Sequence, residues 1–409
     1  MCIDPPSPLP LGGVPQPHIV EMLLHVTERG AGRIMNLSFQ VGSASYEIKP
    51  ETLETYFSQS LNRQVKLVSS KKLGEGFHNA GFLIVLSTDS DTRRVIMRVV
   101  RGDTGWGHDY LSDRCGVLLL QHKLFEMAPP GTCSKSLDVA ALMTDGSVRS
   151  LGDSVEFLHF VEEVQDSEWP PYSSDLFKVS ERGSLTDNDR VRVRAIADYL
   201  VSLHSTKKPD ANLYMRHIRD LIGHGEMLMG VIDTYPHPSK LDFTSARELE
   251  RIETEAVRWR NRIKYLSHRC SRIHGDIHPF GNVRFKEDNS MLALDLSREE
   301  FGEPADDLTG MSINYLFFSI WKHGELIQPF KELFETFLDR YLEKTKDTEI
   351  LKVMAPFYAF RGAVVAHPLY YPELQSERRR KIFNFILNVL SQEQFNPGKV
   401  ESYLETKPS

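Results

Sequence analysis

The hydrophobic pattern of this 409-residue chain changes period once, and that change limits the fold more than any other feature. Across residues 63–101 apolar and polar side chains alternate and the run is cut by glycine, the two-residue period of a pleated strand. Residues 63–76 read as a strand entering a glycine turn, residues 80–89 as a second strand with a turn at 87–92, and residues 93–102 as a third, rich in β-branched side chains. Just upstream, residues 49–61 read as a short helix with Pro50 in its first turn. From Thr186 the period is helical. Thr186 is a good N-cap, and Val191, Ala195, Tyr199 and Leu203 recur every four residues, which sets them on one face. Residues 246–266, 329–344 and 377–395 read as further helices. Strands first and helices afterwards predict an α+β class.

Composition narrows the possibilities. Hydrophobic residues at 41% and charged residues at 26% exclude a wholly disordered, collagen-like or coiled-coil chain. The 49 basic residues against 56 acidic ones, a net of −7, argue against a nucleic-acid partner, which needs basic patches to neutralise phosphates. Cys2, Cys115, Cys133 and Cys270 form no CxxC pair, so a reducing cytoplasm is the expected location. The proline-rich start, MCIDPPSPLPLGGVPQPH, reads as a flexible leader and lacks the charged and apolar regions of a secretory signal. No apolar run approaches the ~20 residues that span a bilayer, so no membrane partner is expected. No repeat of fixed period is present.

Two glycine clusters invite a phosphate-loop reading. Gly74-Glu75-Gly76-Phe77-His78-Asn79 begins as GxGxxG, but Asn79 replaces the last glycine and a strand follows instead of a helix, so a dinucleotide fold is excluded. What remains is either a glycine hairpin whose backbone approaches phosphates or a plain β-turn. Residues 102–108 have the glycine spacing of a Walker A loop without the Lys-Ser/Thr after it, and read as an ordinary connection.

The densest chemistry lies in residues 271–285, where His274, Asp276, His278 and Asn282 share one short loop. The apolar run Met291-Leu-Ala-Leu-Asp-Leu296 follows, reading as a buried strand that ends on Asp295, and then a turn at 301–308 enters another helix. An aspartate in a tight loop can accept a proton from an attacking hydroxyl. An asparagine oxygen and a second aspartate are hard ligands suited to Mg2+. One base, one amide and one further carboxylate is the minimum set for phosphoryl transfer from a nucleotide.

This segment resembles the aminoglycoside phosphotransferase and choline kinase superfamily, whose fold is related to protein kinases. His274-Gly275-Asp276-Ile277-His278, then Asn282, Asp295 and Gly302-Glu303-Pro304-Ala305-Asp306-Asp307-Leu308, follow that family's HGDxHxxN loop, strand aspartate and GDPxxDLA turn. Tyr199-Leu-Val-Ser-Leu-His-Ser205 is similar to its helix before the loop, and residues 158–164 to its hinge strand. The resemblance implies a bilobal kinase-like fold: residues 1–62 as leader and helix, 63–165 as a nucleotide-binding antiparallel sheet lobe, and 166–409 as a mostly helical lobe, with one shared cleft. It implies Asp276 as catalytic base, Asn282 and Asp295 as Mg2+ ligands, and His274 and Asp307 as supports of the loop. Gly74, Gly76 and Arg98 are implied toward the phosphates of ATP or GTP, with backbone near Phe160 and Glu162 toward the base. The partner is a small-molecule hydroxyl acceptor, and the net negative charge is compatible with a cationic one. The sequence does not give an oligomeric state.

The chain departs from the family pattern at three points. Asp276 to Asn282 spans six positions where the family has five, with Phe280 or Gly281 as the insertion. Arg98 stands where the family has lysine, and Gln121 where its glutamate partner is expected. These departures support a second reading, a pseudokinase-like module that binds a nucleotide or a partner without catalysis. A solvated strand-face Arg98, a His278 that only packs, and a zinc set of His268, Cys270, His274 and His278 are further alternatives. Glu299, Glu300 and Glu303 read as a solvated acidic face. A protein substrate is disfavoured because the HRD, DFG and APE signatures are absent.

Overall fold

In a computed structural model, the residues described are 36–75, 79–102, 107–127, 129 and 134–406. The leader, Gly76 and most of the second glycine cluster lie outside them. The described residues form two compact units that divide between Val155 and Glu156, residues 107–109 belonging to the second.

In the first unit β1 (Leu37–Val41) and β2 (Ala44–Ile48) pair as a hairpin, followed by α1 (Pro50–Leu61). Strands β3 (Lys66–Glu75), β4 (Asn79–Ser87) and β5 (Thr92–Val100) form an antiparallel sheet with β4 central. α2 (Leu111–Met127) and a small hairpin, β6 (Ala140–Leu142) with β7 (Val148–Ser150), complete the unit. The alternation read from the sequence is physical here. Ala80, Phe82, Ile84 and Leu86 of β4 are buried, and the first three pair across to Val99, Met97 and Val95 of β5. Leu37, Phe39, Ile48 and Leu53 join the same core, with Phe39 edge-on to Phe82 at 6.4 Å. The sequence reading passes over β1 and β2 because each is only five residues long.

The second unit is mostly helical. Its elements are α3 (Ser173–Arg182), α4 (Asp187–His204), α5 (Ala211–Gly223), α6 (Leu228–Asp233) and α7 (Ala246–Ile263), then β8 (Ser271–Arg272), β9 (Val283–Phe285), β10 (Met291–Ala293) and β11 (Phe301–Gly302), then α8 (Ala305–His323), α9 (Gln328–Thr345), α10 (Met354–Val365), α11 (Ser376–Leu390) and α12 (Val400–Leu404). Thus the α+β expectation holds, with small antiparallel sheets before a mostly helical part. Thr186 caps α4 as expected, in a reciprocal capping box with Asp189. Val191 is exposed, and Val193, Ile196, Ala197 and Leu200 are the residues that bury. Helix α8 is buried on every side from Ala305 to Ile320, and α9 and α10 pack against it. Among the described residues no helix is long and apolar enough to cross a membrane.

Candidate active site

Two short ladders build the site. β8 pairs with β11 and β9 with β10, all antiparallel, so loop 273–282 and turn 294–300 are held side by side. Leu294 N donates to Asn282 O at 2.8 Å, and Ser297 N donates to His274 O at 3.1 Å. Gly275 makes the approach possible. Its φ is +85°, and the carbonyl oxygen of Ser297 lies 2.1 Å from where a Cβ would stand, so no other residue fits without displacement.

Helix α8 supplies the floor. Asp307, in its first turn and fully buried, accepts from His274 N at 2.7 Å and Gly275 N at 2.8 Å. His204, the last residue of α4, sets its Nε2 3.0 Å from Asp307 Oδ2 and its Nδ1 2.9 Å from the Tyr341 hydroxyl. Burial opposes ionisation of Asp307, but the contacts from His204 and His274 together outweigh it and hold the carboxyl below its ordinary range. Burial pushes the imidazoles of His274 and His278 below their ordinary value.

Asp276 sits on this floor with its side chain 22% exposed. Its Oδ1 accepts from Arg361 Nη1 at 2.8 Å and pairs with Arg298 Nη1 at 2.6 Å. Its Oδ2 accepts no hydrogen bond from the described residues. Burial works against the charge, yet the two guanidinium groups, Arg361 foremost, hold the carboxyl well below the usual carboxylate range. Asn282 is 7% exposed and donates Nδ2 to the Asp276 carbonyl at 2.8 Å. The six-position spacing therefore closes. Within the loop the Phe280 ring stacks on Phe318 at 5.2 Å and lies 5.8 Å from Tyr371.

Other sequence-derived residues are placed as follows. Asp295 follows β10 but is exposed, and β10 is half-buried, which corrects the buried strand. Asp295 has φ +60° and Arg298 has φ +68°, two left-handed non-glycine residues inside one turn. Glu303 is fully buried and accepts two bonds from Arg269, at 2.7 and 2.8 Å, and one from the Tyr214 hydroxyl at 2.7 Å. Glu299 takes His217 Nδ1 at 2.7 Å and Arg216 Nε at 3.1 Å. Only Glu300, paired with Arg272, fits a solvated acidic face, which is corrected accordingly. His278 accepts from Phe280 N through Nδ1 at 3.2 Å. Residues 158–164 form no strand, and Phe160 is 87% exposed with Glu162 also exposed, so the expected hinge strand is corrected to irregular chain.

In the sheet unit, Gly74 of β3 pairs with Gly81 of β4, which pairs with Arg98 of β5. Nothing lies within 4 Å of a Cβ built on either glycine, and Gly74 has φ +150°. Arg98 is exposed, without a hydrogen bond or ion pair to the described residues, beside a lane free of side chains. Gln121 is exposed on α2.

Sequence reading missed Arg298 and Arg361. Arg361 had a signal, a single arginine within the apolar stretch Ala355-Pro-Phe-Tyr-Ala-Phe-Arg-Gly-Ala363. Arg298 had none, because arginines in loops are common.

The donor set fits Mg2+. Asn282 spends Nδ2 on the loop and has its amide oxygen left, and the exposed Asp295 carboxylate has no partner among the described residues. Mg2+ takes one or two protein carboxylates and completes its shell with phosphate and water. No group of three or more His, Cys, Asp and Glu among the described residues is placed to hold a metal, which sets aside the zinc alternative.

No protein-family model and no curated protein matches the chain. Among solved structures it is similar to choline kinase LicA from Streptococcus pneumoniae, at 13% identity, with 83% of this chain and 98% of that one covered and a TM-score of 0.32. It is also similar to a Plasmodium vivax ethanolamine kinase, at 13% identity over 83% of this chain and 80% of that one with a TM-score of 0.30. A glucosamine kinase is 14% identical over 80% of this chain and 92% of that one, with a TM-score of 0.29. Likeness of this size is too slight to bear on what this chain does.

Proposed function

We propose that the chain is a small-molecule kinase that transfers the γ-phosphoryl group of ATP or GTP to a hydroxyl of a small metabolite or antibiotic. The observation that carries this reading is the Asn282–Asp276 bond. It sets a carboxylate oxygen and an amide oxygen, neither hydrogen-bonded to the described residues, on one loop braced by Asp307. In the reaction the acceptor oxygen forms a bond to the γ-phosphorus as the bond to the β-phosphate bridging oxygen breaks. Asp276 Oδ2 takes the hydroxyl proton and Arg298 and Arg361 stay on Oδ1. Asn282 and Asp295 would hold Mg2+, which when bound neutralises charge on the phosphates. Within the sheet unit, the bare lane of Gly74 and Gly81 beside Arg98 supports a phosphate contact, to which Gly76 would add. Backbone near Phe160 and Glu162 is assigned to the nucleotide base by resemblance alone. Arginine can grip phosphate by two donors without the glutamate partner that a lysine there has.

The test is ATP or GTP turnover with Mg2+ over a panel of sugars, amino alcohols and aminoglycosides. Asp276→Ala is expected to lower a detected kcat by about 10²–10⁴, the usual worth of general base catalysis. An unchanged kcat removes Asp276 from the role. The replacement of lysine by Arg98 and of glutamate by Gln121 favours a second reading, a binding module without catalysis. It predicts no turnover with any acceptor. Nucleotide stabilisation that needs Mg2+ and disappears in Asp295→Ala speaks for the kinase.

A further inference from the structure

Arg361 is 6% exposed in the middle of α10, among buried apolar neighbours. Burying a guanidinium is costly unless its donors are matched by well-placed acceptors. Here the matching is concentrated on the loop. Nη1 donates to Asp276 Oδ1 at 2.8 Å, and Nη2 donates to the Gly275 carbonyl at 2.9 Å and to Asp306 Oδ1 at 2.7 Å. Nε is buried with no partner among the described residues, a further cost the fold accepts to keep the group there. Room for it comes from Gly310 on α8, where a Cβ would lie 3.4 Å from the guanidinium carbon. Asp306 anchors the far side of the fork, itself fully buried at the start of α8.

The consequence for Asp276 is directional. Both cations make their closest contact at Oδ1, and Oδ2 accepts no hydrogen bond from the described residues. We propose that Arg361 is a positioning residue that fixes the Asp276 carboxylate through Oδ1, so that Oδ2 is the atom presented to the acceptor hydroxyl. The proposal rests on the kinase reading for its meaning in catalysis, while the grip itself is a matter of geometry. A lysine delivers a point charge and cannot span Asp276, Gly275 O and Asp306 with one planar fork. Displacing a reacting group by about 1 Å can cost on the order of 10²-fold in rate.

The experiment compares full-length wild type, Arg361→Lys, Arg361→Ala and Asp306→Asn. In Arg361→Lys and Arg361→Ala, kcat is expected to fall by about ten- to a hundredfold, with the nucleotide KM within about twofold. Added guanidinium ion is expected to restore part of kcat in Arg361→Ala and none in Asp276→Ala. Asp306→Asn is expected to give a smaller drop in kcat, since it loosens only the anchor of the fork. A kcat unchanged in Arg361→Lys overturns the proposal. So does a loss in Arg361→Ala that tracks weakened nucleotide binding and ignores guanidinium, since that marks a purely structural arginine. Crystal structures of wild type and Arg361→Lys decide the point without turnover. An Asp276 side chain that leaves its rotamer in the variant supports positioning, and an unmoved one overturns it. If no acceptor is turned over, the kinase reading falls and the crystallographic arm still decides.

Discussion

Asn282 donates its side-chain nitrogen to the main-chain oxygen of Asp276 at 2.8 Å, across a loop one residue longer than that of the family it resembles. The bond keeps the proposed base and the proposed metal ligand together. Asn282→Ala removes both the bond and the ligand oxygen. The expected outcome is a loss of about 1 kcal/mol in urea melts. The Mg2+ needed for half-maximal nucleotide stabilisation should also rise at least about tenfold, on the scale of lost metal-site contacts. A Mg2+ titration followed by thermal shift reads the second effect.

Gly275 and Gly281 lie in the same loop and predict opposite tolerances. At Gly275 an alanine meets the Ser297 carbonyl at 2.1 Å in a left-handed backbone, whereas nothing lies within 4 Å of the Cβ position at Gly281. Gly275→Ala should cost at least about 1–3 kcal/mol, the scale of local backbone strain. Gly281→Ala should stay within about 0.5 kcal/mol. Equal urea midpoints for the two variants would contradict the close approach of the 295–298 turn.

His217 makes a prediction in pH. Burial alone lowers its imidazole, but the Glu299 contact, with Asp306 and Glu303 behind it, outweighs burial and raises it to about 9. A raised histidine stabilises the fold fully below its unfolded value of about 6.5. That stability is lost as pH climbs through about 9. The contribution is on the order of 3 kcal/mol at most. The stability difference between wild type and His217→Gln should therefore shrink between pH 6.5 and 9. A difference that is flat over this window, in urea melts at stepped pH, contradicts a charged His217.

The surroundings of Asp276 also bear on the acceptor. The net charge of −7 is compatible with a cation, but the local charges point elsewhere. Arg298 and Arg361 both sit on Asp276, so its charge is already answered before an acceptor arrives. A quaternary ammonium placed there gains little from the carboxylate. Neutral polyols and sugars are expected to exceed choline-like acceptors in kcat/KM. A panel in which quaternary amines lead reverses this expectation.

The loop was legible because its chemistry is packed into few residues: His274, Asp276 and Asn282 announce themselves by type and spacing. Strands β3 to β5 were legible because alternation runs for nine or ten residues in each. The buried face of α4 was not, because a regular four-residue stripe (Val191, Ala195, Tyr199, Leu203) competes with the offset stripe of Val193, Ile196 and Leu200. Nothing local says which stripe meets α9. Glu303 read as solvated because its partner, Arg269, lies 34 positions upstream and only folding joins them. Arg361 stood out within its apolar stretch, but its partner was hidden for the same reason, 85 positions away at Asp276.

Phe280 gives the loop a last property. Its ring lies against Phe317, Phe318 and Tyr371, so the loop is pinned to an aromatic cluster two residues before Asn282. A motif written as a fixed count from aspartate to asparagine passes over such a chain. A motif written as the bond that closes the loop does not.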